Sequence, residues 1–270
     1  MSSTPQTTAD GTKIWPRFKG KTVLVTGAGT GFGAEIAFRA AQEGAKVAVH
    51  YRSSKAGAEA TLKRIQDIGG EGIIVQADIG TWGAIKKMAD EVWAAFGTLD
   101  VLVNNVGDVS SDQMSWRDLT QEALDAVIDI DVKGTLLMTH EFGERMLEQP
   151  NGGNIINVGS TVIVRGSPRA PQYAAAKYAI LGITKSYAKV LAPKVRVNTF
   201  APGFMETEKL LSRADWKAGR RETLISQTPM GHIPPPEFVA GTCLWLATEE
   251  SAHLTGGYLL ADGGFNMVGA

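Results

Sequence analysis

A tyrosine and a lysine stand four residues apart in the stretch Tyr173-Ala-Ala-Ala-Lys177. In a helix, residues at positions i and i+4 lie one above the other on the same face. A lysine ammonium beside a phenol favours the phenolate and lowers a phenol pKa that is otherwise about 10. The spacing therefore indicates a phenol that acts as a general acid or base near neutral pH. It fits two unrelated surface residues equally well, so the surrounding sequence has to distinguish the two interpretations.

A glycine-rich run separates the first predicted strand from the first predicted helix. Residues 21–26 form a short apolar strand, residues 27–33 read Gly-Ala-Gly-Thr-Gly-Phe-Gly, and a helical pattern follows over 34–43. Such glycines permit a tight turn and a close approach of backbone N–H groups to a phosphate, which the positive end of the helix also attracts. The run predicts a nucleotide-binding turn.

Predicted strands and helices alternate along the whole chain. The strands cover 21–26, 46–50, 72–77, 101–104, 154–158, 194–200 and 258–261, and the helices cover 34–43, 54–68, 82–96, 133–147, the segment of Tyr173 and Lys177, and 237–248. This alternation indicates βαβ units and a parallel sheet. Because such crossovers are right-handed, we expect an α/β fold with a doubly wound sheet and helices on both faces.

The alternation is interrupted once and preceded by a polar segment. Residues 203–236 hold no regular pattern and end in three consecutive prolines, which is typical of a functional lid. Residues 1–17 are predicted to form a flexible N-terminal arm, and residues 18–270 a single domain.

The composition excludes several classes of function. The chain has 270 residues, of which 44% are apolar, and a net charge of −1 without a basic stripe or polybasic helix, so neither nucleic acid nor a membrane is an expected partner. No apolar run approaches the roughly 20 residues that span a bilayer, and a cytoplasmic protein is expected. The single cysteine, Cys243, lies in an apolar run and is predicted to be a buried thiol. The histidines are scattered, so no metal site is expected.

Several motifs occur in a fixed order along the chain. They are Thr-Gly-x-x-x-Gly-x-Gly at 26–33, Asn104-Asn-Val-Gly107, Ser160, the Tyr173–Lys177 pair and Pro202-Gly203. Over about residues 18–266 this order resembles the short-chain dehydrogenase/reductase family, most closely its 3-oxoacyl-carrier-protein reductases and bacterial sugar dehydrogenases. The resemblance implies a Rossmann fold of about seven strands, a homotetramer, and NAD or NADP as cofactor.

The resemblance also implies roles for individual residues. Hydride transfer to a carbonyl leaves negative charge on oxygen, which needs a proton and hydrogen-bond donors. Tyr173 is expected to give or take that proton, Ser160 to bind the substrate oxygen, and Lys177 to lower the phenol pKa and hold the nicotinamide ribose. The predicted cofactor contacts are Gly27, Thr30, Gly31, Phe32, Gly33, Tyr51, Arg52, Ser53, Asp78, Ile79, Asn104, Val106, Gly107, Tyr173, Lys177, Pro202, Gly203 and Thr207. Of these, Asp78 and Ile79 match an adenine contact, and Thr207 matches a residue at the nicotinamide end.

The end of the second predicted strand favours NADP(H), with NAD(H) as the alternative. An acidic residue there would bind the adenosine ribose hydroxyls and repel a 2′-phosphate. This strand ends His50-Tyr51-Arg52-Ser53, without a carboxylate and with an arginine that can pair with phosphate. Thr30, in the glycine run, lacks the positive charge that many NADP-preferring relatives carry at that position.

One position departs from the family pattern. Relatives place an Asn in an Asn-Val-x-Gly stretch, where it supports a water chain to the lysine, whereas this chain has Asp131-Val-Lys-Gly134. Asp is nearly isosteric with Asn, and a role of the backbone carbonyl survives the change. An ionised carboxylate, however, opposes proton release from Tyr173. We expect Asp131 to be the fourth catalytic residue of an active enzyme. The alternative is an ordinary residue on a helix surface.

The predicted substrate contacts are Ser160, Tyr173, Phe204, Met205 and Trp216. The last three suggest a partly apolar pocket, although each also fits ordinary packing. A small ketone, alcohol or sugar is the preferred substrate, and reduction of a 3-oxoacyl carrier protein is the alternative.

Surface charge bears on that alternative, because carrier proteins are acidic and require basic docking residues. The helix after Gly134 carries Glu141, Glu144 and Glu148 against Arg145, although Lys189 and Lys194 lie near the end of the active-site helix. A different class, a nucleotide sensor without chemistry, is less favoured because such proteins commonly lose the tyrosine or the lysine.

Overall fold

The computed structural model describes residues 5–7, 13–107 and 115–267. Within these residues seven strands form a central parallel sheet: β3 (Thr22–Val25), β4 (Lys46–Tyr51), β5 (Gly72–Gln76), β6 (Val101–Asn104), β7 (Gly153–Val158), β8 (Val195–Pro202) and β9 (Tyr258–Ala261). Their order across the sheet is β5-β4-β3-β6-β7-β8-β9. The predicted doubly wound α/β fold is confirmed.

Helices cover both faces of this sheet. The longer ones are α1 (Gly31–Gln42), α2 (Lys55–Asp67), α3 (Trp82–Phe96), α5 (Thr135–Glu148), α7 (Pro171–Leu191) and α10 (Pro236–Trp245). Shorter ones are α4 (Gln121–Val127), α6 (Val162–Arg165), α8 (Glu208–Leu211) and α9 (Arg221–Ser226). A π-helical segment spans Ile128–Gly134, and Trp216–Arg220 forms a kinked segment whose backbone is not helical at Ala218 and Gly219. Of the helices in the part of the chain that the structure describes, none has the length and apolarity needed to cross a membrane.

The core has two halves because successive residues of a strand point to opposite faces of the sheet. Val23 and Val25 belong to one apolar cluster with residues of α1, α2 and α10, including the buried thiol of Cys243. Leu24, between them, belongs to a second cluster with residues of α3, α5 and α7. Strands that are buried on both faces read as continuous apolar runs, which is why the sequence predicted them well.

The sheet order reverses beside β3, whose neighbours are β4 and β6. In open α/β sheets, ligands bind in the crevice at the carboxyl ends of strands where the order reverses. The loops after β3 and β6 meet at this point. The hydroxyl of Thr26 accepts hydrogen bonds from the N–H groups of Asn105 at 2.9 Å and Val106 at 3.1 Å. The two predicted cofactor motifs are therefore joined directly.

The predicted N-terminal arm is described only in part. β1 (Gln6–Thr7) pairs with β2 (Lys13–Ile14) as an antiparallel ribbon, and Ile14 is buried. Arg17 forms two 2.6 Å hydrogen bonds with the buried carboxylate of Glu43. Residues 1–4 and 8–12 lie outside the described residues, and the flexibility of the arm and the domain boundary stay predictions.

Candidate active site

Helix α7 carries Tyr173 and Lys177 on successive turns. Pro171 occupies its first turn, where proline lacks only an N–H that would have no helical partner. Both side chains are buried, with 7% of Tyr173 and 3% of Lys177 exposed. Lys177 Nζ lies 5.6 Å from the centre of the Tyr173 ring and donates a 3.3 Å hydrogen bond to the carbonyl of Val158, at the end of β7. The interpretation of this pair as two surface residues is wrong.

Asp131 lies in the π-helical segment Ile128–Gly134, between α4 and α5. Its side chain is fully buried, and its Oδ1 atom lies 2.7 Å from Lys177 Nζ. The alternative of a residue on a helix surface is therefore wrong. A buried charge requires a partner of opposite sign, and Asp131 and Lys177 supply this to each other. Single π-helical turns are rare and occur often at functional sites.

Gly107, which follows β6, lies against this ion pair. A Cβ atom built at Gly107 would lie 2.8 Å from Lys177 Nζ and 2.9 Å from Asp131 Oδ1. Real Cβ atoms do not approach other atoms this closely, so a side chain at this position would displace the pair. Glycine thus allows the loop after β6 to contact the amine directly.

The glycine run after β3 uses its glycines for distinct purposes. Gly27 and Gly31 have φ angles of 63° and 57°, in the left-handed region that favours glycine. A Cβ atom at Gly33 would lie 2.5 Å from the carbonyl oxygen of Gly27, so glycine lets α1 pack against the turn. This matches the division between tight turn and close helix packing expected of a dinucleotide-binding loop.

His50, on β4, fixes the same turn from inside the sheet. The Gly27 N–H donates a 3.0 Å hydrogen bond to His50 Nδ1, and His50 Nε2 lies 3.1 Å from the carbonyl oxygen of Ala77. His50 is therefore a neutral imidazole with its proton on Nε2. Burial lowers the pKa of His50 from 6.5 to about 4, more than the Ala77 carbonyl and Asp78 raise it. Sequence reasoning missed this role, although a histidine in an otherwise apolar strand was a usable signal.

A cleft of about 270 Å³ opens at the carboxyl ends of β3, β4 and β5. Nine of the predicted cofactor contacts line it: Gly27, Thr30, Tyr51, Arg52, Ser53, Asp78, Ile79, Val106 and Gly107. Gly29, His50, Ser54, Ala77 and Ile130 also line it and were not predicted. Exposed Arg52 and Ser53 stand at one side. This lining fits a dinucleotide with a phosphorylated ribose, because it combines backbone that can approach a phosphate with a guanidinium that can pair with one.

The other predicted cofactor contacts are not among the residues that line this cleft, and some have clear structural roles. Phe32 is buried against Phe200, with ring centres 6.0 Å apart. Asn104 is buried and donates to Asn157 Oδ1 at 2.9 Å and to Thr139 Oγ1 at 3.2 Å. Gly31 and Gly33 belong to the turn and the start of α1 described above.

The residues after β8 also show structural uses. Pro202 ends β8, and a Cβ atom at Gly203 would lie 2.7 Å from the Cα atom of Asp262. Thr207 caps α8 by accepting a 3.3 Å hydrogen bond from the N–H of Leu210. A contact of Thr207 with the nicotinamide end stays a prediction.

Ser160 follows the carboxyl end of β7, separated from the strand only by Gly159. It is half-buried, and its hydroxyl accepts a 3.4 Å hydrogen bond from the N–H of Val162 at the start of α6. The hydroxyl therefore lies at the same edge of the sheet as the cleft. The hydroxyl proton remains available for donation to a substrate oxygen.

The predicted substrate contacts after β8 lie in a small apolar cluster. Trp216 is 3% exposed and packs with Leu224 and Ile233, and the Phe204 ring lies 6.4 Å from Trp216. Met205 packs against the main core. Packing accounts for the burial of Trp216, and substrate contact by any of the three stays a prediction.

A cluster of arginines on Asp215 connects the predicted lid with the active-site helix. Asp215 accepts hydrogen bonds from Arg213 at 2.8 and 2.9 Å and from Arg220 at 2.6 Å, and Arg169 Nη1 lies 3.6 Å away. Arg169 stands just before α7. Hydrogen bonds from Arg213 and Arg220 hold the pKa of Asp215 well below its usual range. No local sequence pattern indicated this cluster.

Comparisons with known proteins agree with this arrangement. Residues 27–266 match the model of a family described as enoyl-(acyl carrier protein) reductase. The 3-oxoacyl-[acyl-carrier-protein] reductase FabG of Thermotoga maritima is 38% identical over 252 residues, which cover 92% of this chain and 98% of that protein.

Solved structures are similar over the same extent. A short-chain dehydrogenase from Burkholderia cenocepacia, in complex with NADP, aligns with a TM-score of 0.83 at 32% identity and covers 93% of this chain and 99% of its own. The angucycline C-6 ketoreductase LanV with bound NADP aligns with a TM-score of 0.84 at 29% identity, over 93% of this chain and 98% of its own.

Proposed function

Because the chain belongs to the short-chain dehydrogenase/reductase family, we propose that it is an NADP(H)-dependent oxidoreductase that interconverts a ketone and a secondary alcohol. The position of Gly107 is the observation that carries the proposal. Gly107 lines the cleft, and it also leaves no room for a Cβ atom beside Lys177 Nζ. A single residue, Gly107, therefore borders both the predicted cofactor site and the predicted catalytic group.

The chain's own residues supply the proton chemistry. When bound, the nicotinamide cofactor supplies the hydride in reduction or accepts it in oxidation. Tyr173 donates a proton to the substrate oxygen in reduction, and Ser160 donates a hydrogen bond to the same oxygen. Burial of Tyr173 and Lys177 strengthens these interactions, because electrostatic effects are larger where water is excluded.

The cofactor preference follows from the charge around the cleft. Arg52 is exposed at the side of the cleft, and β4 ends there without a carboxylate. An adenosine 2′-phosphate therefore meets an arginine and two serines, Ser53 and Ser54. The two aligned structures that contain NADP are consistent with this preference.

An absorbance assay of cofactor oxidation and reduction tests the proposal. It uses NADP(H) and NAD(H) separately with a panel of small ketones, secondary alcohols and sugars. We expect turnover with NADP(H) and a loss of at least about 100-fold in Tyr173→Phe, as for removal of a general acid. Cofactor binding without turnover on any member of the panel, including 3-oxoacyl thioesters, would favour a nucleotide sensor instead.

Reduction of a 3-oxoacyl carrier protein is the second candidate, and the 38% identity to a protein of that name favours it. The acidic helix weakens this candidate less than the sequence indicated. Glu141 is buried, and it accepts 3.0 Å hydrogen bonds from Arg145 and from Trp82, so it presents no surface charge. Turnover of a 3-oxoacyl carrier protein at a much higher kcat/KM than the matching free thioester would select this candidate.

A cytoplasmic homotetramer completes the proposal, on the basis of the family resemblance. Leu124, Ile128, Leu136 and Tyr178 are exposed apolar residues on α4, the following π-helical segment, α5 and α7. Exposed apolar side chains on neighbouring helices are consistent with a subunit interface. Light scattering on the purified protein measures the number of subunits.

A further inference from the structure

Within residues 13–107 and 115–267, four parts of the chain contribute groups beside the catalytic amine. The π-helical segment contributes the Asp131 carboxylate at 2.7 Å from Lys177 Nζ, and β7 contributes the Val158 carbonyl at 3.3 Å. The loop after β6 contributes Gly107, which has no side chain, and α7 itself contributes the Tyr173 ring. The two charged groups, Asp131 and Lys177, are buried, so water screens their charges only weakly.

The Asp131–Lys177 pair has a net charge of zero whether the proton between the two groups is on the amine or on the carboxylate. A carboxylate with an ammonium and a carboxylic acid with an amine have the same total charge. A lysine stabilises a nearby phenolate because it brings one positive charge. Here Asp131 cancels that charge at a distance of 2.7 Å. Tyr173 therefore faces a neutral pair, whereas an Asn at position 131 would leave it facing a cation.

We propose that Asp131 is a positioning residue that acts through Lys177, holding the amine in place and keeping Tyr173 protonated to higher pH than Lys177 alone would. This inference rests on the proposed oxidoreductase function. In reduction, the carbonyl carbon takes the hydride and the oxygen takes the proton of Tyr173, which then regains a proton from solvent. Reduction requires the phenol and oxidation requires the phenolate, so the pair extends ketone reduction into alkaline solution and confines alcohol oxidation to it.

The test compares pH–rate profiles of wild type and Asp131→Asn in both directions, with saturating NADP(H). Asn has nearly the same shape as Asp, so the change removes the charge and little else. We expect the alkaline limb of reduction, and the rising limb of oxidation, to move to lower pH by about one unit or more, as for a nearby charge. Reduction by the variant at high pH then falls about tenfold below wild type.

Asp129→Asn is the matched control. Asp129 lies in the same π-helical segment, but its side chain is exposed and pairs with Lys133 at 3.4 Å. The control removes the same charge from the same segment without touching Lys177. We expect its profile to coincide with that of wild type. Equal shifts in Asp129→Asn and Asp131→Asn would overturn the proposal, because they would reflect overall charge alone.

A titration of Tyr173 tests the inference without turnover. The ultraviolet absorbance of phenolate is followed against pH in wild type, with Tyr173→Phe subtracted. We expect Tyr173 in wild type to form phenolate no more readily than an ordinary phenol, near pH 10 or above. Phenolate formation near neutral pH in wild type would overturn the inference, even if Asp131→Asn did not fold. An enzyme that is inactive on every substrate but shows the expected titration would refute the proposed function and leave the charge inference supported.

Discussion

Two clusters of charged groups in this protein follow opposite principles. Asp131 and Lys177 form a fully buried pair in which one acid faces one base. Asp215 is 37% exposed and lies within ion-pair distance of three arginines, Arg169, Arg213 and Arg220. A buried pair is costly to break because the remaining charge stays unpaired, whereas an exposed cluster is screened by water and salt. The protein thus combines a buried one-to-one ion pair with a partly exposed cluster in which several cations share one carboxylate.

The sharpest test of this contrast is Lys177→Met, which leaves the Asp131 carboxylate buried without its cation. We expect the free energy of unfolding to fall by about 3–5 kcal/mol, the range for a broken buried ion pair, and turnover to be lost. Urea unfolding measures the first and the absorbance assay the second. Tyr173→Phe is the control, because it should lose turnover with little loss of stability. Equal stability of Lys177→Met and Tyr173→Phe would show that the buried pair is no more costly to break than an exposed one.

The stability of the fold should also depend on pH, because His50 is buried as a neutral imidazole. Its pKa of about 4 lies below the ordinary value of 6.5, so the unfolded chain binds more protons between these values. Above about pH 6.5 His50 is neutral in both states, so the free energy of unfolding is at its full value. As the pH falls towards 4, proton uptake by the unfolded chain lowers the free energy of unfolding by about 3 kcal/mol. Urea unfolding of wild type and His50→Gln at pH 7 and pH 4.5 measures it. A difference between the two proteins that does not change with pH would contradict this prediction.

Gly107→Ala tests how tightly the buried pair is enclosed. The added methyl group would lie 2.8 Å from Lys177 Nζ, and overpacking of this kind costs about 1–3 kcal/mol. We expect a matching loss of stability and at least about tenfold lower kcat, because the amine has to move. Gly83→Ala is the matched control, since a Cβ atom there meets nothing within 4 Å. Full activity of Gly107→Ala would mean that the pair is not held rigidly.

The smallest effect is expected at the exposed cluster. Asp215→Asn leaves Arg169, Arg213 and Arg220 without their common carboxylate. We expect a loss of no more than about 1 kcal/mol in stability at low salt, which disappears as salt screens the arginines. Unfolding measured at low and high sodium chloride gives this result. A large loss that persists at high salt would place Asp215 in the same category as Asp131.

The sequence predicted the fold, and it indicated the candidate site residues, because the signals for both are local. Apolar strands that are buried on both faces, the glycine turn and the four-residue spacing of Tyr173 and Lys177 each depend on neighbouring residues. The bounds predicted for α3 and β6 coincide with those observed.

Interactions between distant segments were beyond a single sequence. The hydrogen bonds of His50, the arginines on Asp215 and the 2.7 Å contact of Asp131 with Lys177 all join segments that are brought together only by the fold. The π-helical segment that places Asp131 was not predicted either, and the helix predicted for this region begins only at residue 133. For the same reason Phe32 and Asn104 were predicted from their motifs, and their interior contacts were not.

The enclosure of Asp131 by Gly107 and Lys177 has an evolutionary consequence. Asn and Asp codons are neighbours in the genetic code, and the two side chains have almost the same shape. A single base change therefore exchanges one for the other with little change in the shape of the side chain. Most changes at a fully buried position are purged because they disturb packing. Here a fully buried position can carry or lose a charge while its side chain keeps almost the same shape.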